Sequence, residues 1–494
     1  MHTIRSGHRD PGHRARAIGE PASDASSGER SDPDRRPWGL LALLCVPQFM
    51  VILDASVVNV ALPSIGRSLG FAPADLQWVV TAYVLMTGGL MLLGGRGADL
   101  LGRRAVFVGG LALFTAASLA SGLAPTPTAL IVARACQGVG AAMLSPAALS
   151  VITATYTGAQ RTTALSVWGA LAGGGGAVGV LLGGILTSWL GWRSIFFINV
   201  PIGAITLPLV LRMLPADRRA ISALRGLDLP GALSLIGGLA LAVLAVRESS
   251  SWGWGSARTL VLFAAAAALI ATFVAVERAA ARPLVPTSIW RIRSLTSSAT
   301  IMLGVTAILV GTFFLGSLFL QRVLGATPIQ TGLDFLPLVL VTGVATHVGR
   351  ELLARVSARA TVVAGLAVIA AGDLMLTGAN AHASYLADLL PAFSLIGFGI
   401  GLTFAAITVA AMADIADETA GLASGLLTTG HELGAALGAS IVSAIAFGSG
   451  AGRFVIGYGH GALAGAVIAV ALALVSLVAI PTTKTASGPQ LAMH

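Results

Sequence analysis

The sequence predicts an all-α integral membrane protein with fourteen transmembrane helices. Two compositional facts carry this: 55% of residues are hydrophobic against 10% charged, and mean hydropathy is +0.87. The third observation is a series of apolar runs, each near the roughly 20 residues a helix needs to cross a bilayer. A soluble domain carries roughly 25% charged residues, so too little charge is present to cover a water-facing surface, and lipid must face much of the chain.

Residues 1–37 are polar and rich in Arg, Asp, Ser, Gly and Pro. They read as a disordered cytoplasmic tail; no short apolar core with a small-residue cleavage site follows, which argues against a signal peptide. Spans are predicted at 38–62, 76–98, 104–123, 127–152, 162–188, 194–213, 227–247, 258–277, 296–320, 331–349, 360–379, 385–412, 419–447 and 461–481, with a second cytoplasmic tail at 482–494. Glycine is tolerated inside such runs because lipid and helix packing suppress its alternatives. The charged, proline-bearing stretch from Arg282 to Arg293 is the best linker between halves, with eight spans before it and six after.

An even number of spans puts both termini on one side. With that side cytoplasmic, the inner loops hold Arg103, Arg104, Arg161, Arg212, Arg218, Arg219, Arg225, Arg278, Arg282, Arg291, Arg293, Arg350, Arg355 and Arg359. The outer loops hold Arg67, Arg193, Arg258, Arg322 and Arg453, with Arg247 at a border. This bias follows the positive-inside rule. It also accounts for the net charge of +9 without nucleic acid, because the basic residues sit in short loops between apolar runs. Cys45 and Cys136 lie in apolar runs and offer neither a disulfide framework nor a metal-ligand spacing. They read as packing residues, and no metal or cofactor is expected.

Four stretches carry the mechanism. In the first span, Asp54 is a carboxylate inside an apolar run, followed by Asn59 and Pro63. An acid at a helix centre costs about 2.5–3.5 kcal/mol on insertion scales, and burial penalises its charged form. Asp54 is therefore a candidate proton carrier; the plainer alternative is a hydrogen-bonded structural acid near the outer interface. After the second span comes a short loop, Gly94-Gly95-Arg96-Gly97-Ala98-Asp99-Leu100-Leu101-Gly102-Arg103-Arg104. Its glycines permit close helix approach, and Asp99 is placed to cap a helix or accept from the arginines. Gly95, Asp99, Gly102, Arg103 and Arg104 thus form a candidate conformational latch, weakly echoed from Gly349-Arg350 to Arg359 in the second half. The third stretch holds Arg134 and Gln137, with Arg134 about 10 Å into its span at helical rise. Asp54 lies at a similar depth, so the two are placed to meet, and Arg134 would oppose the desolvation of Asp54; snorkelling to the outer surface is the alternative. The fourth is the glycine-rich fifth span, where Gly175, Gly176, Gly179, Gly183 and Gly184 would let another helix slide past. Static packing is the alternative, and the run lacks a phosphate-loop spacing.

At these stretches, and at Gly191-Trp192-Arg193 through Asn199-Val200-Pro201 to Gly203, the sequence resembles the major facilitator superfamily. Within it, the chain is most similar to the fourteen-span drug:proton antiporter branch, and the resemblance covers about residues 38–480. It implies an N-terminal six-helix bundle at 38–213, two extra central helices with linkers at 214–293, and a C-terminal six-helix bundle at 294–481. It further implies alternating access around a central cavity and proton-driven export. One departure stands out: the fifth-span motif of that branch usually reads Gly-Pro, and here the pair is Gly179-Val180, which removes a kink point.

Other polar groups lie in apolar runs: His347, Asp373, His431 and Glu432, with Asp334 expected to cap a helix or lie near the outer interface. Glu432 is about 20 Å into its span at helical rise, and His431 points about 100° away from it. With Asn59 and Gln137, these two make a candidate substrate or second proton site. Asp414, Asp417 and Glu418 form an acidic inner loop. No HExxH, metal cluster or Ser/His/Asp set points to an enzyme, and no charged ring or filter points to a channel. The expected partners are a small-molecule substrate, protons and the lipid bilayer of the cell membrane, with no nucleic acid and a monomeric carrier. The leading function is proton-coupled export of small hydrophobic or cationic compounds; the alternatives are a proton-coupled metabolite permease or a dedicated exporter of a self-made antibiotic.

Overall fold

The computed structural model describes residues 36–214, 228–280, 289–413, 415, 420–448 and 453–480. Among the described residues, fourteen helices are long and apolar enough to cross a membrane, and no residue lies in a strand. The terminal tails, the segments at 215–227 and 281–288, and the acidic loop residues Asp414, Asp417 and Glu418 lie outside the described residues.

The helices are α1 (Arg36–Leu69), α2 (Gln77–Leu101), α3 (Arg103–Leu123), α4 (Pro127–Thr155) and α5 (Gly158–Trp189). A short α6 (Ser194–Phe197) and α7 (Asn199–Met213) together make the sixth span. Then come α8 (Leu229–Trp252), α9 (Ala257–Ala279), α10 (Arg293–Arg322), α11 (Pro328–Leu353), α12 (Ala358–Leu376), α13 (Leu390–Met412), α14 (Ala420–Gly448) and α15 (Phe454–Ala479). Several starts are set by hydroxyl caps: Thr126, Ser256 and Ser357 each accept from the backbone N–H three residues on. Thr327 and Gln330 form a reciprocal capping box at α11.

Several helices outrun their predicted spans. α1 continues past residue 62 through Pro63 to Leu69, and α15 begins at Phe454 rather than 461. In lipid every backbone group must be paired within the helix, so glycine and proline do not end a span as they would in water. The same effect corrects the placement of the latch stretch. Gly94 to Leu101 belong to α2, and Gly102 alone joins α2 to α3 with φ +105°, a conformation that favours glycine.

The described helices form two sets with the same pairing. In α1–α7, α4 packs on α2 and α3, α1 on α5, and α3 on α7. In α10–α15, α13 packs on α11 and α12, α10 on α14, and α12 on α15. A close glycine–glycine approach repeats as well: a Cβ on Gly110 would stand 2.9 Å from the Gly140 carbonyl oxygen, and one on Gly365 would stand 2.8 Å from that of Gly399. Only glycine admits such backbone contact. Between the sets, α8 packs against α2 of the first and α14 of the second, and α9 packs on α8. Large apolar side chains face outward, among them Trp189, Leu386 and Val478 at 76%, 72% and 85% exposure. On a soluble surface such patches would be a liability; here they meet acyl chains.

The face where α1 begins and α15 ends is termed the near face, and the opposite one the far face. Hydrogen bonds join the two sets toward the far face, while α2 and α14 also pack on each other further along, at Gly88–Glu432 and Leu92–Gly425. Gln321 Nε2 donates to the Val60 carbonyl at 2.8 Å, the Ile329 N–H to Ser188 Oγ at 3.0 Å, and Ser443 Oγ to the Ala74 carbonyl at 3.4 Å. Arg247 of α8 pairs with Asp75 at 2.8 Å and with its neighbour Glu248. Toward the near face, Gly169 and Gly174 of α5 and Gly343 of α11 meet open space. The described structure is thus closed at the far face.

Candidate functional site

A buried polar pocket occupies the core of the first set. Asp54 on α1, Ser118 on α3, Arg134 and Gln137 on α4, and Asn199 at the start of α7 are all at most 1% exposed. Arg134 Nη1 forms a short ion pair with Asp54 Oδ2. It also donates to Gln137 Oε1 at 2.9 Å, while its Nε donates to the Val79 carbonyl at 2.9 Å. The other carboxylate oxygen, Oδ1, accepts from Gln137 Nε2 at 2.7 Å and from Asn199 Nδ2 at 3.1 Å. Gln137 and Asn199 also reach Ser118 Oγ, at 2.8 and 3.4 Å. Above the guanidinium lies the Tyr83 ring at 4.2 Å, with Phe196 at 5.7 Å, a cation–π setting that suits arginine better than lysine.

This network explains how a chain so poor in charge holds an acid and a base within the bilayer. A lone buried ion would cost several kcal/mol; a pair whose remaining lone pairs and protons are hydrogen-bonded offsets much of that. The pocket draws on α1, α2, α3, α4 and α7, so its state of charge bears on how these helices pack. The expected meeting of Asp54 and Arg134 is present, and Arg134 does not snorkel. Ser118, Asn199 and the Tyr83–Phe196 pair were not singled out as site residues in the sequence. Asn199→Ala removes a donor to a charged oxygen and is expected to cost about 1–3 kcal/mol of stability. Thermal unfolding of the purified variant measures this; an unchanged midpoint would show that Asn199 is not needed to hold the pocket.

The remaining candidates separate. Asn59 is not part of the pocket; its Nδ2 donates to the Ala55 carbonyl one turn back at 3.0 Å. His431 on α14 shares a 3.0 Å hydrogen bond with Thr306 Oγ1 and meets the Phe404 ring edge. Neighbouring Glu432 is half-buried against α2, where a Cβ on Gly88 would stand 2.5 Å from its own Cβ. Gln137, grouped with these residues in the sequence, belongs to the Asp54 pocket instead. His347 pairs with Glu351 at 3.5 Å on an exposed helix surface. The Asp334 carbonyl accepts from Tyr385 at 2.8 Å.

In the latch, the glycine in backbone contact is Gly94, which lies against Ala142 of α4; Gly95 makes only ordinary contact with Pro146. Arg104 Nη2 donates to the Leu211 carbonyl of α7 at 2.7 Å. Of the glycines in α5, Gly175, Gly179 and Gly183 form a stripe against Ile52, Ser56 and Val57 of α1. Gly184 instead faces α11, where a Cβ would stand 2.7 Å from the Pro328 carbonyl oxygen, and Gly176 touches both helices loosely at 4.0 Å. α5 runs unbroken through Gly179-Val180, consistent with the missing proline.

Comparison with known proteins identifies this architecture. The family description Major Facilitator Superfamily matches residues 44–439. The chain is 41% identical over 431 residues to the puromycin resistance protein pur8 of Streptomyces alboniger, covering 86% of this chain and 84% of that one. It is 40% identical over 429 residues to the cephamycin export protein CmcT of Amycolatopsis lactamdurans, covering 86% and 88%. Among solved structures, a D-xylose–proton symporter superposes with a TM-score of 0.63 at 15% identity, over 91% of this chain and 99% of that one. A bacterial homologue of the human lysosomal transporter Spinster, in an inward-facing conformation, gives 0.63 at 17% identity over 91% and 98%. The repeated helix pairing, the seal at one face and a family match across most of the spans agree, and the chain belongs to the major facilitator superfamily of membrane transporters.

Proposed function

We propose that the chain is a proton-coupled exporter of small hydrophobic or cationic compounds in the cell membrane, with both termini cytoplasmic. The observation that carries this reading is the Asp54–Arg134 pair, sealed in the first set at the packing point of several helices. Protonation of Asp54 would remove the counter-charge of Arg134 and loosen its hold across α1, α2 and α4, biasing one access state over the other. The functional units are the bundles 38–213 and 294–481, with the segment 214–293 between them. One chain holds both bundles and acts as a monomer. With the arginine-rich near face inside, the described state opens to the cytoplasm and is closed outside. Glu432, which packs against Gly88 of the first set, and neighbouring His431 would contact cargo or a second proton. The relatives' names, puromycin resistance and cephamycin export, make puromycin the first cargo to try and support an antibiotic rather than a nutrient.

The test is accumulation of labelled puromycin and of a fluorescent lipophilic cation in an efflux-deficient bacterium, with and without an uncoupler. Lower accumulation with the intact protein than with empty vector, abolished by the uncoupler, is the expected result. Lower accumulation that survives the uncoupler would overturn the coupling; no difference for either compound would overturn this cargo class and leave a dedicated exporter of another antibiotic.

A further inference from the structure

The second helix set holds a mostly apolar cavity with three polar side chains, at the place corresponding to the Asp54 pocket, and its chemistry differs. The contacting pairs Gly110–Gly140 and Gly365–Gly399 align α3 with α12 and α4 with α13. Ser118 lies eight residues after Gly110, and Asp373 lies eight after Gly365. Arg134 lies six before Gly140, and six before Gly399 stands Phe393; by the same register Gln137 corresponds to Ile396. The second set thus has a carboxylate where the first has a serine, and apolar side chains where the first has its guanidinium and amide.

Asp373 is 2% exposed, and its Oδ2 has no hydrogen-bond partner among the described protein groups. The same is true of Tyr458 Oη on α15. Both line a cavity of about 30 Å³ together with Thr312 of α10, Gly438 of α14, and Gly461 and Gly465 of α15. That is room for one or two water molecules, which need polar partners of this kind. Gly465 makes space for the acid, since a Cβ there would stand 2.5 Å from Oδ2. Among the described residues, Tyr458 is the one titratable group facing Asp373 across the cavity; α10, α13 and α14 present apolar side chains, glycine and the Thr312 hydroxyl. The Phe319 ring stacks on Tyr458 at 4.3 Å and fixes where its hydroxyl points.

We propose that this cavity is a second proton-exchange site, in which Asp373 takes up and releases one proton through water bridged to Tyr458, separately from the Asp54 pocket. Uptake forms an O–H bond on Oδ2 from a hydronium in the cavity and leaves water; release reverses it. Any part in transport rests on the proton-coupled reading above, whereas exchange at Asp373 is readable without transport. The test is infrared difference spectroscopy on the purified full-length protein at stepped pH. A carbonyl stretch of a protonated carboxyl that comes and goes with pH, is missing in Asp373→Asn, and moves in frequency and in its titration midpoint in Tyr458→Phe is the expected result. A band unchanged at every pH, or retained in Asp373→Asn, overturns the proposal. Should Asp373→Asn not fold, Tyr458→Phe decides alone: an unshifted band overturns it. In vesicles, proton-to-puromycin ratios from reversal potentials separate the two readings. If the intact protein moves no puromycin, that cargo is wrong while the infrared result still decides Asp373.

Discussion

Asp54→Asn is expected to abolish uphill export and also to lower the stability of the protein. The substitution keeps shape and some hydrogen bonding but removes the charge facing Arg134, which is 1% exposed. Breaking one side of a buried pair costs about 3–5 kcal/mol, because the other ion stays buried and uncompensated. A double variant, Asp54→Asn with Arg134→Gln, removes both charges and should regain most of that stability. Export should not return, since no carboxyl is left in the pocket. Arg134→Lys should resemble the single loss: an ammonium cannot hold Asp54, Gln137 and the Val79 carbonyl in one plane as the guanidinium does. Thermal unfolding and uncoupler-sensitive uptake into inverted vesicles, measured on the same preparations, check the set. Coupled transport by Asp54→Asn at the rate of the intact protein would refute the role of Asp54, whatever its stability.

The behaviour of this pair shows which features were legible in the sequence. A charge in an apolar run stands out because lipid offers it nothing, so Asp54 and Arg134 could be singled out, and similar depths were enough to bring them together. Ser118 and Asn199 could not be found that way. Each is a small polar residue with little insertion cost, and its place in the pocket depends on how α3 and α7 are rotated. Rotation also decided between adjacent glycines: about 100° separates neighbours on a helix, and it turned Gly94 rather than Gly95 onto the backbone of α4. It split Gly183 from Gly184 in the same way, giving one to α1 and the other to α11. The number of spans was legible because length and hydropathy fix it; their ends were not, because in lipid Gly and Pro lose their value as stops. Asp373 was visible as an intramembrane acid, but its cavity depended on four helices meeting.

That split within α5 leads to the second large expected effect. Gly183→Leu and Gly184→Leu are one residue apart and chemically identical, yet they should fail differently. A side chain at 183 would strike the Val57 carbonyl of α1, within the same helix set, where a Cβ stands 2.8 Å from that oxygen. Because this contact lies within one set, opening the far face would not relieve it, so folded yield should fall. A side chain at 184 strikes Pro328 and Ile329 of α11, a contact between the sets at the closed far face. Opening that face relieves the clash. Overpacking costs about 1–3 kcal/mol, and an equilibrium biased by that amount shifts about 5- to 150-fold. Gly184→Leu should therefore fold, favour the far-face-open state and lose at least most of its turnover. Spin labels at exposed Leu190 and Arg322, in a chain without Cys45 and Cys136, would report the change as a longer distance population at the far face. Equal loss of folded protein in both variants would mean that the α5 glycines serve static packing alone, and the α5–α11 contact would have to be dropped as the element that moves.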